Sequence, residues 1–496
     1  MWGWFLATFL IASLLYTQLQ LWKQPSLGDR ANWDYFAQVI ARGGVPYRDV
    51  VNIKSPLSAY IGAAAIIVAR PFGLRDIFAI RITYIFLAAL TVAFSFLIAL
   101  EYFDSLGLAL LTAAAMLAFD AFARFNSSGV QPKTPMILLG LISLWATIKD
   151  RPFMAGVFGM LSALSWQPGL LFAGVSGLTT SRYLTTWRDL RGFKVIVGAT
   201  VPVAIMLAYF LIAGALKDFY TWNLYYSASI YGPREARTLP DFFDHLGGLI
   251  NGVYRRERWL FFLAIAGLLE FVWQQARRTG HQGGVLLEEA QRHAVFIAAL
   301  VYFGFCMINI QGPVDLIPLL PFVAIFAALA IHGGATRLIR LCAYRLTESS
   351  RSLIRSGTIA LITIIVLFQA ATALIKPVRH FPTLQDQEAI VAEIVQQLER
   401  GDKVFVHGYC EVLVLSGLTN ASRYFLLDRG KDTLLDQVEP GGFAGWFVRL
   451  KAERPKIIAL TRFEDMAHES DFRDWAAADY EPRINEVLPY YVRIDH

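Results

Sequence analysis

The stretch GDRANWDYFAQVIARGGVPYRDVVNIKSPL (28–57) places three carboxylates in otherwise oily surroundings, of which Asp29 and Asp34, together with Lys54, could do chemistry. A carboxylate can take a proton from a hydroxyl, and a lysine can hold an anion where the dielectric is low. Trp33, Phe36, Ala37 and Ile40 recur at the spacing of one helix face, and Gly43-Gly44 is a helix stop. The pattern predicts a short helix lying in a membrane interface with its aromatic face toward lipid. Asp29 then falls at the N-terminus as an N-cap, where the helix dipole favours the ionised form a base requires. Asp34 falls on the polar side, where a solvated surface acid is expected.

The elements that must position these groups are membrane helices. Of 496 residues, 56% are hydrophobic and 17% charged, and the mean hydropathy is +0.46. Repeated apolar runs of roughly 18 or more residues place such a chain in the polytopic membrane class. The formal net charge of +6 is spread over many short loops, which fits a bilayer surface better than a nucleic acid, so no nucleic-acid partner is expected. Cys306, Cys342 and Cys410 form neither a disulfide framework nor a metal-binding spacing. The apolar run from Trp2 to Trp22 lacks a basic leader and a cleavage site, so an uncleaved anchor is expected.

Roughly twelve apolar runs occur, of which about eleven are expected to cross, with 55–73 lying along the surface because it contains Arg70 and Pro71. Basic loops at 182–194, 277–292 and 337–355 predict a cytoplasmic N-terminus in the inner (plasma) membrane. Segments 23–54, 123–133, 215–257 and everything after about 377 then face outward.

Beyond the membrane part (1–376), apolar content falls. LQDQEAIVAEIVQQLERG reads as helix, DKVFVHG as strand, GGFAGWFVRLKAER as helix and PKIIAL as strand. This predicts a small extracytoplasmic α/β domain over 377–496, with a structural or acceptor-docking role. It has no GxGxxG and no GxxxxGK[ST], so no nucleotide site is indicated.

Asp29, the aromatic at Trp33, Ala37, the run Gly43-Gly44-Val45-Pro46-Tyr47-Arg48-Asp49 and Lys54-Ser55-Pro56-Leu57 resemble the first outer loop of GT-C fold glycosyltransferases. Among these the bacterial polyprenyl-phosphate-sugar enzymes grouped with protein O-mannosyltransferases and aminoarabinose transferases are most similar. DLIPLLPFVAIFAALAI (315–331) is similar to their late L-P-x-x-P helix, and GDKVFVHGYCEVLVLSGLTNASRYFLLD to their outward α/β domain. The resemblance implies a GT-C bundle with juxtamembrane helices in the first loop. It also implies transfer of a sugar from a polyprenyl-phosphate donor to a glycan, lipid or protein hydroxyl on the outer face.

The same resemblance implies that Asp29 is the general base and that Lys54 grips the donor phosphate, with Asp34 in reserve. Tyr47, Arg48, Gln131, Lys133, Tyr231 and Arg234 complete the candidate substrate-binding set, the last two on an aromatic outer segment. Two departures matter. Arg30 and Trp33 stand where the family has Glu and Tyr, and the second outer loop reads RFNSSGVQPKTP, with Gln131 and Lys133 where an acid is usual. The missing acid predicts a reaction without a metal or other cofactor. Two other functions are compatible with a polytopic chain: a polysaccharide ligase or polymerase using a lipid-diphosphate donor, and a transporter. A transporter would call for repeated halves and a midplane charge cluster, and neither is seen.

Overall fold

A computed structural model of the protein describes residues 1–20, 22–180, 190–230, 238–279, 293–376 and 381–494. Five described helices are long and apolar enough to cross a membrane: Asp76–Phe103, Arg191–Ile212, Arg258–Arg277, Pro313–Cys342 and Glu348–Ile375. The run 105–122, expected as one span, breaks at Phe119 into Leu106–Ala118 and Asp120–Ser127, bent by 66°. Shorter apolar helices, Trp2–Thr17, Leu57–Phe72, Lys133–Ile148, Pro152–Ser165 and Ala294–Asn309, pack among the long ones. Pro313–Cys342 is the most enclosed long helix, with 78% of its apolar stretch buried, and Arg258–Arg277 the most open at 17%. The first therefore forms the bundle's centre and the second its rim.

Small residues let the inner helices approach closely, the usual solution where apolar burial cannot drive helices together in lipid. A Cβ on Gly156 would sit 2.9 Å from the Ala199 backbone nitrogen. Beside it Ser143, Thr147 and Ser176 join the Lys133–Ile148 and Leu170–Thr180 helices by hydrogen bonds at 2.8 and 3.1 Å. These hydroxyls also satisfy one another inside an apolar bundle, where an unpaired polar group is costly.

The helix expected in the opening stretch forms as Asp29–Ala41, and Gly43 follows it at φ +92°. Its environment differs from the expectation. Trp33, Phe36, Ala37 and Ile40 are buried in protein rather than turned to lipid. The polar side is buried as well: Asn32 accepts from Cys410 N at 2.9 Å, and Gln38 donates to the Val414 carbonyl at 3.1 Å. Sequence periodicity marked an apolar face correctly, but carried no information that the opposite face also has a partner.

The run 55–73 forms the Leu57–Ala69 helix and a 3-10 turn, Arg70–Phe72. It lies against the Asp29–Ala41 and Asp76–Phe103 helices; a Cβ on Gly62 would meet Ala37 at 2.9 Å and Val130 at 2.8 Å.

From Leu384 onward, helices surround a four-stranded sheet of order β1-β2-β4-β3, comprising β1 (Val404–His407), β2 (Ile457–Leu460), β3 (Tyr480–Arg483) and β4 (Tyr490–Arg493). β1 and β2 are parallel, with His407 opposite Leu460; β4 runs antiparallel to β2 and β3. The β1–β2 connection contains the helices Glu411–Ser416, Lys431–Val438 and Gly442–Ala452. Buried clusters join this part to the polar loops and the membrane helices. Phe36, Ala37 and Val130 share one buried cluster with Val404, Val406 and Ile457. Tyr47 and Phe210 share another with Phe405 and Ile458.

Candidate active site

Gly28, at φ +60°, precedes the helix, and its N–H donates to Glu411 Oε1 at 2.9 Å. Gly28 is thus the N-cap, and Asp29 is the first helical residue rather than the cap expected from sequence. The Asp29 side chain is 76% exposed and opens into a cavity, with Oδ1 3.2 Å from Arg462 Nη1.

Asp34 behaves differently from the solvated acid expected. It is 1% exposed and accepts from Val130 N at 2.8 Å. Burial pushes its carboxyl up to about 6, against the Val130 N–H, Arg81 and Arg30, which all favour the ion. A Cβ on Gly129 would lie 3.0 Å from Asp34 Oδ2, so glycine permits the second loop to close on this carboxylate. Asp34 ties the two polar loops together and does not line the cavity.

Tyr47 is fully buried, and its hydroxyl donates to the Lys54 carbonyl at 2.7 Å. Asn52 Oδ1 accepts from Ile53 N and Lys54 N at 2.7 and 3.1 Å, a side-chain-stabilised turn. These contacts fix the backbone from which Lys54 enters the cavity. Arg48 points elsewhere, bonding Asp49 at 2.8 Å and the Ala213 carbonyl at 2.8 Å. Neither Tyr47 nor Arg48 lines the cavity. Tyr231 and Arg234 lie outside the described residues.

The cavity measures about 480 Å³ and lies where the two polar loops, Trp166, the 309–315 segment and the C-terminal α/β part converge. Lys133 follows Pro132 at the start of its helix, and its Nζ lies 4.3 Å from the Trp166 ring centroid; Lys54 Nζ lies 5.8 Å from the same centroid. One indole thus meets two ammonium groups from different loops within cation–π range. Asp315 Oδ1 pairs with Lys133 at 3.1 Å, while its Oδ2 accepts from Gln311 N and Gly312 N at 2.8 and 3.0 Å. Gln131 also lines the cavity.

Opposite this group stands a second charged cluster, from the C-terminal part. Asp428 is buried between Lys431, with which it pairs, and Arg462, whose Nε is 2.7 Å from Asp428 Oδ2. Burial alone would raise the Asp428 carboxyl, but Lys431 and Arg462 outweigh it and hold it below the usual range. Six cations (Arg30, Lys54, Lys133, Arg429, Lys431 and Arg462) and three carboxylates (Asp29, Asp315 and Asp428) line the cavity, an anion-accepting balance. Among the described residues no group of three or more His, Cys, Asp or Glu is placed to hold a metal ion.

Sequence reading missed Trp166, Asp315 and the C-terminal cluster. Trp166 stands in the turn Ser165-Trp166-Gln167-Pro168-Gly169, whose sequence signals a helix break and no chemistry. Asp315 opens an apolar run, and its charge was the available signal. Asp428 and Arg462 had none, because their approach to Asp29 is made only by the fold.

Solved structures share this architecture. ArnT from Cupriavidus metallidurans, bound to undecaprenyl phosphate, aligns with a TM-score of 0.62 at 14% identity, over 99% of this chain and 98% of its own. The Archaeoglobus fulgidus oligosaccharyltransferase in its apo form aligns at 0.57 and 12% identity, over 92% and 69%. The oligosaccharyltransferase AglB from the same organism, with an inhibitory peptide and dolichol-phosphate, aligns at 0.53 and 12% identity. At these identities the likeness is one of fold: the chain has the GT-C membrane fold. No protein-family model and no curated protein sequence matches it.

Proposed function

We propose that this protein is a membrane glycosyltransferase that moves a sugar from a polyprenyl-phosphate carrier to an acceptor hydroxyl on the extracytoplasmic face. The observation that carries this reading is the pairing of Lys54 and Lys133 over Trp166 in a cationic cavity that also holds the open carboxylate of Asp29. The bond between sugar C1 and the phosphate oxygen breaks as the acceptor oxygen bonds to C1. The departing polyprenyl phosphate gains a negative charge, which Lys54 and Lys133 stabilise. The acceptor proton passes to Asp29, which is hydrogen-bonded but still open to the cavity. The solved ArnT bound to undecaprenyl phosphate supports a carrier of that class. Gln131 and Lys133, in place of a second-loop acid, support a reaction that needs no metal.

The test is transfer of labelled sugar from polyprenyl-phosphate mannose, glucose or pentose to acceptors in membranes carrying the protein, with mass spectrometry of the lipid that copurifies. Recovery of a polyprenyl phosphate and transfer that survives a chelator are expected. Copurification of a lipid-diphosphate glycan, with transfer only from that donor, would replace this reading with a ligase.

The proposed orientation, with a cytoplasmic N-terminus and about eleven crossings, rests on the basic loops. Cys410 is buried and cannot report it, whereas Cys342, in the basic 337–355 segment, is exposed. Thiol labelling of Cys342 only after permeabilisation is expected. Labelling from outside in intact cells would invert the topology.

A further inference from the structure

We infer that Arg462, carried on the loop after β2, is a positioning residue for the Asp29 carboxylate, so that the C-terminal α/β part completes the active site. The inference rests on the reading of Asp29 as general base.

The sheet aims its loops at the cavity. In open α/β sheets, ligands sit beyond the carboxyl ends of parallel strands, where the connecting loops diverge. Here β1 and β2 are the parallel pair, and their carboxyl ends run into Gly408-Tyr409 and Thr461-Arg462. Thr461 N donates to the His407 carbonyl at 2.9 Å, and Tyr409 N donates to Thr461 Oγ1 at 2.8 Å, which locks the two loops together. Gly408 has φ +115°, and a Cβ there would lie 2.8 Å from Arg462 N. Glycine therefore lets the loops close and sets where Arg462 begins.

The guanidinium is held from several sides. Nε pairs with Asp428 at 2.7 Å, and Nη2 donates to Glu464 at 2.7 Å. Nη1 donates to the Tyr409 hydroxyl at 3.2 Å, and the guanidinium carbon lies 5.5 Å from that ring's centroid. These contacts come from the C-terminal part and immobilise a side chain that otherwise has many rotamers. Nη1 also reaches Asp29, in the first polar loop. Because Asp29 is largely open to water, this ion pair adds little to stability. Its consequence is orientation: a rigid planar donor fixes one carboxylate oxygen and leaves the other for the acceptor hydroxyl. The start of the same helix is pinned independently by Gly28 N to Glu411 Oε1 and by Cys410 N to Asn32 Oδ1, both at 2.9 Å. The segments after β1 and β2 thus locate both the backbone and the carboxylate of Asp29.

Arg462→Met removes the donor and Arg462→Lys keeps the charge that Asp428 needs, while an ammonium cannot reach Asp29 and Asp428 together in the same way. The assay is transfer from a labelled polyprenyl-phosphate sugar, with binding of undecaprenyl phosphate and thermal unfolding in detergent measured alongside. Loss of orientation predicts a kcat lowered about 10- to 100-fold with donor KM and undecaprenyl phosphate binding nearly unchanged. Added guanidinium is expected to restore part of the turnover of Arg462→Ala, which a merely structural defect would not show. Wild-type kcat in either folded variant overturns the inference, as does a loss of undecaprenyl phosphate binding that matches the loss of turnover. If Arg462→Met does not fold, the lysine variant decides. Asp29→Asn separates the two claims. A dead Asp29→Asn beside a fully active Arg462→Lys removes only this inference, whereas a fully active Asp29→Asn removes the general-base reading and this inference with it.

Discussion

The Lys133 ammonium stands 3.1 Å from Asp315 Oδ1, joining the second polar loop to the turn ahead of the Leu320–Cys342 helix. Both side chains are 14% exposed, so each is the other's main compensation at the edge of the cavity. Lys133→Ala leaves the carboxylate without its cation and is expected to cost about 1–3 kcal/mol of stability and to weaken undecaprenyl phosphate binding. Adding Asp315→Asn should recover stability but not binding, because the phosphate still lacks its cation. Thermal unfolding and lipid binding of both proteins check this; recovery of binding in the double variant would show that Lys133 does not meet the phosphate.

Asp29→Asn is expected to lower kcat roughly 10²–10⁴-fold while donor affinity stays close to normal. Stability should change little, since Gly28 is the cap and the Asp29 side chain is largely exposed. The measurement is kcat and donor binding side by side. Normal turnover would return Asp29 to a surface role.

Asp34 is expected to act on stability in a pH-dependent way. Its folded carboxyl is raised to about 6 from an ordinary value of 3.8. Between these values the folded chain binds a proton that the unfolded chain has released. Stability from this group is therefore fully present below about 4 and is lost as pH rises through about 6, by up to roughly 3 kcal/mol. Asp34→Asn keeps an acceptor for Val130 N–H and removes the titration. The thermal midpoint of the natural protein, relative to that of the variant, should fall from pH 4 to pH 6. Parallel curves would contradict the assignment.

Trp166→Leu removes the π face that two ammonium groups share. Cation–π contacts of about 0.5–2 kcal/mol predict a several-fold to roughly 30-fold weaker grip on undecaprenyl phosphate, with Trp166→Phe intermediate. Equal affinity in all three proteins would make Trp166 a packing residue only.

Local features were legible in the sequence because local forces make them. The Asp29–Ala41 helix follows from its apolar spacing and ends before Gly43-Gly44, where φ +92° at Gly43 suits a residue without Cβ. The Leu384–Gln396 helix starts at Thr383, whose side chain and that of Asp386 cap each other's N–H groups. The strands at 404–407 and 457–460 stand where β-rich runs predicted them, as does the placing of Lys54 and Lys133 in two polar loops.

What covers a face, and which charges meet, was decided by tertiary structure. Asp29 and Asp34 are both carboxylates of one short helix. Yet one opens into the cavity, and the other is buried beneath Val130 and Gly129 because the second loop closes on it. Arg462 reaches Asp29 only because two parallel strands bring their carboxyl-end loops over the start of that helix. Trp166 becomes a platform only because two loops deliver lysines to it. Periodicity and propensity act over a few residues, whereas the dielectric and partners of a charge depend on segments hundreds of residues away. The sequence by itself therefore determined the Asp29–Ala41 helix, the strands β1 and β2 and the polar loops, and the fold alone determined which of their charges form the site.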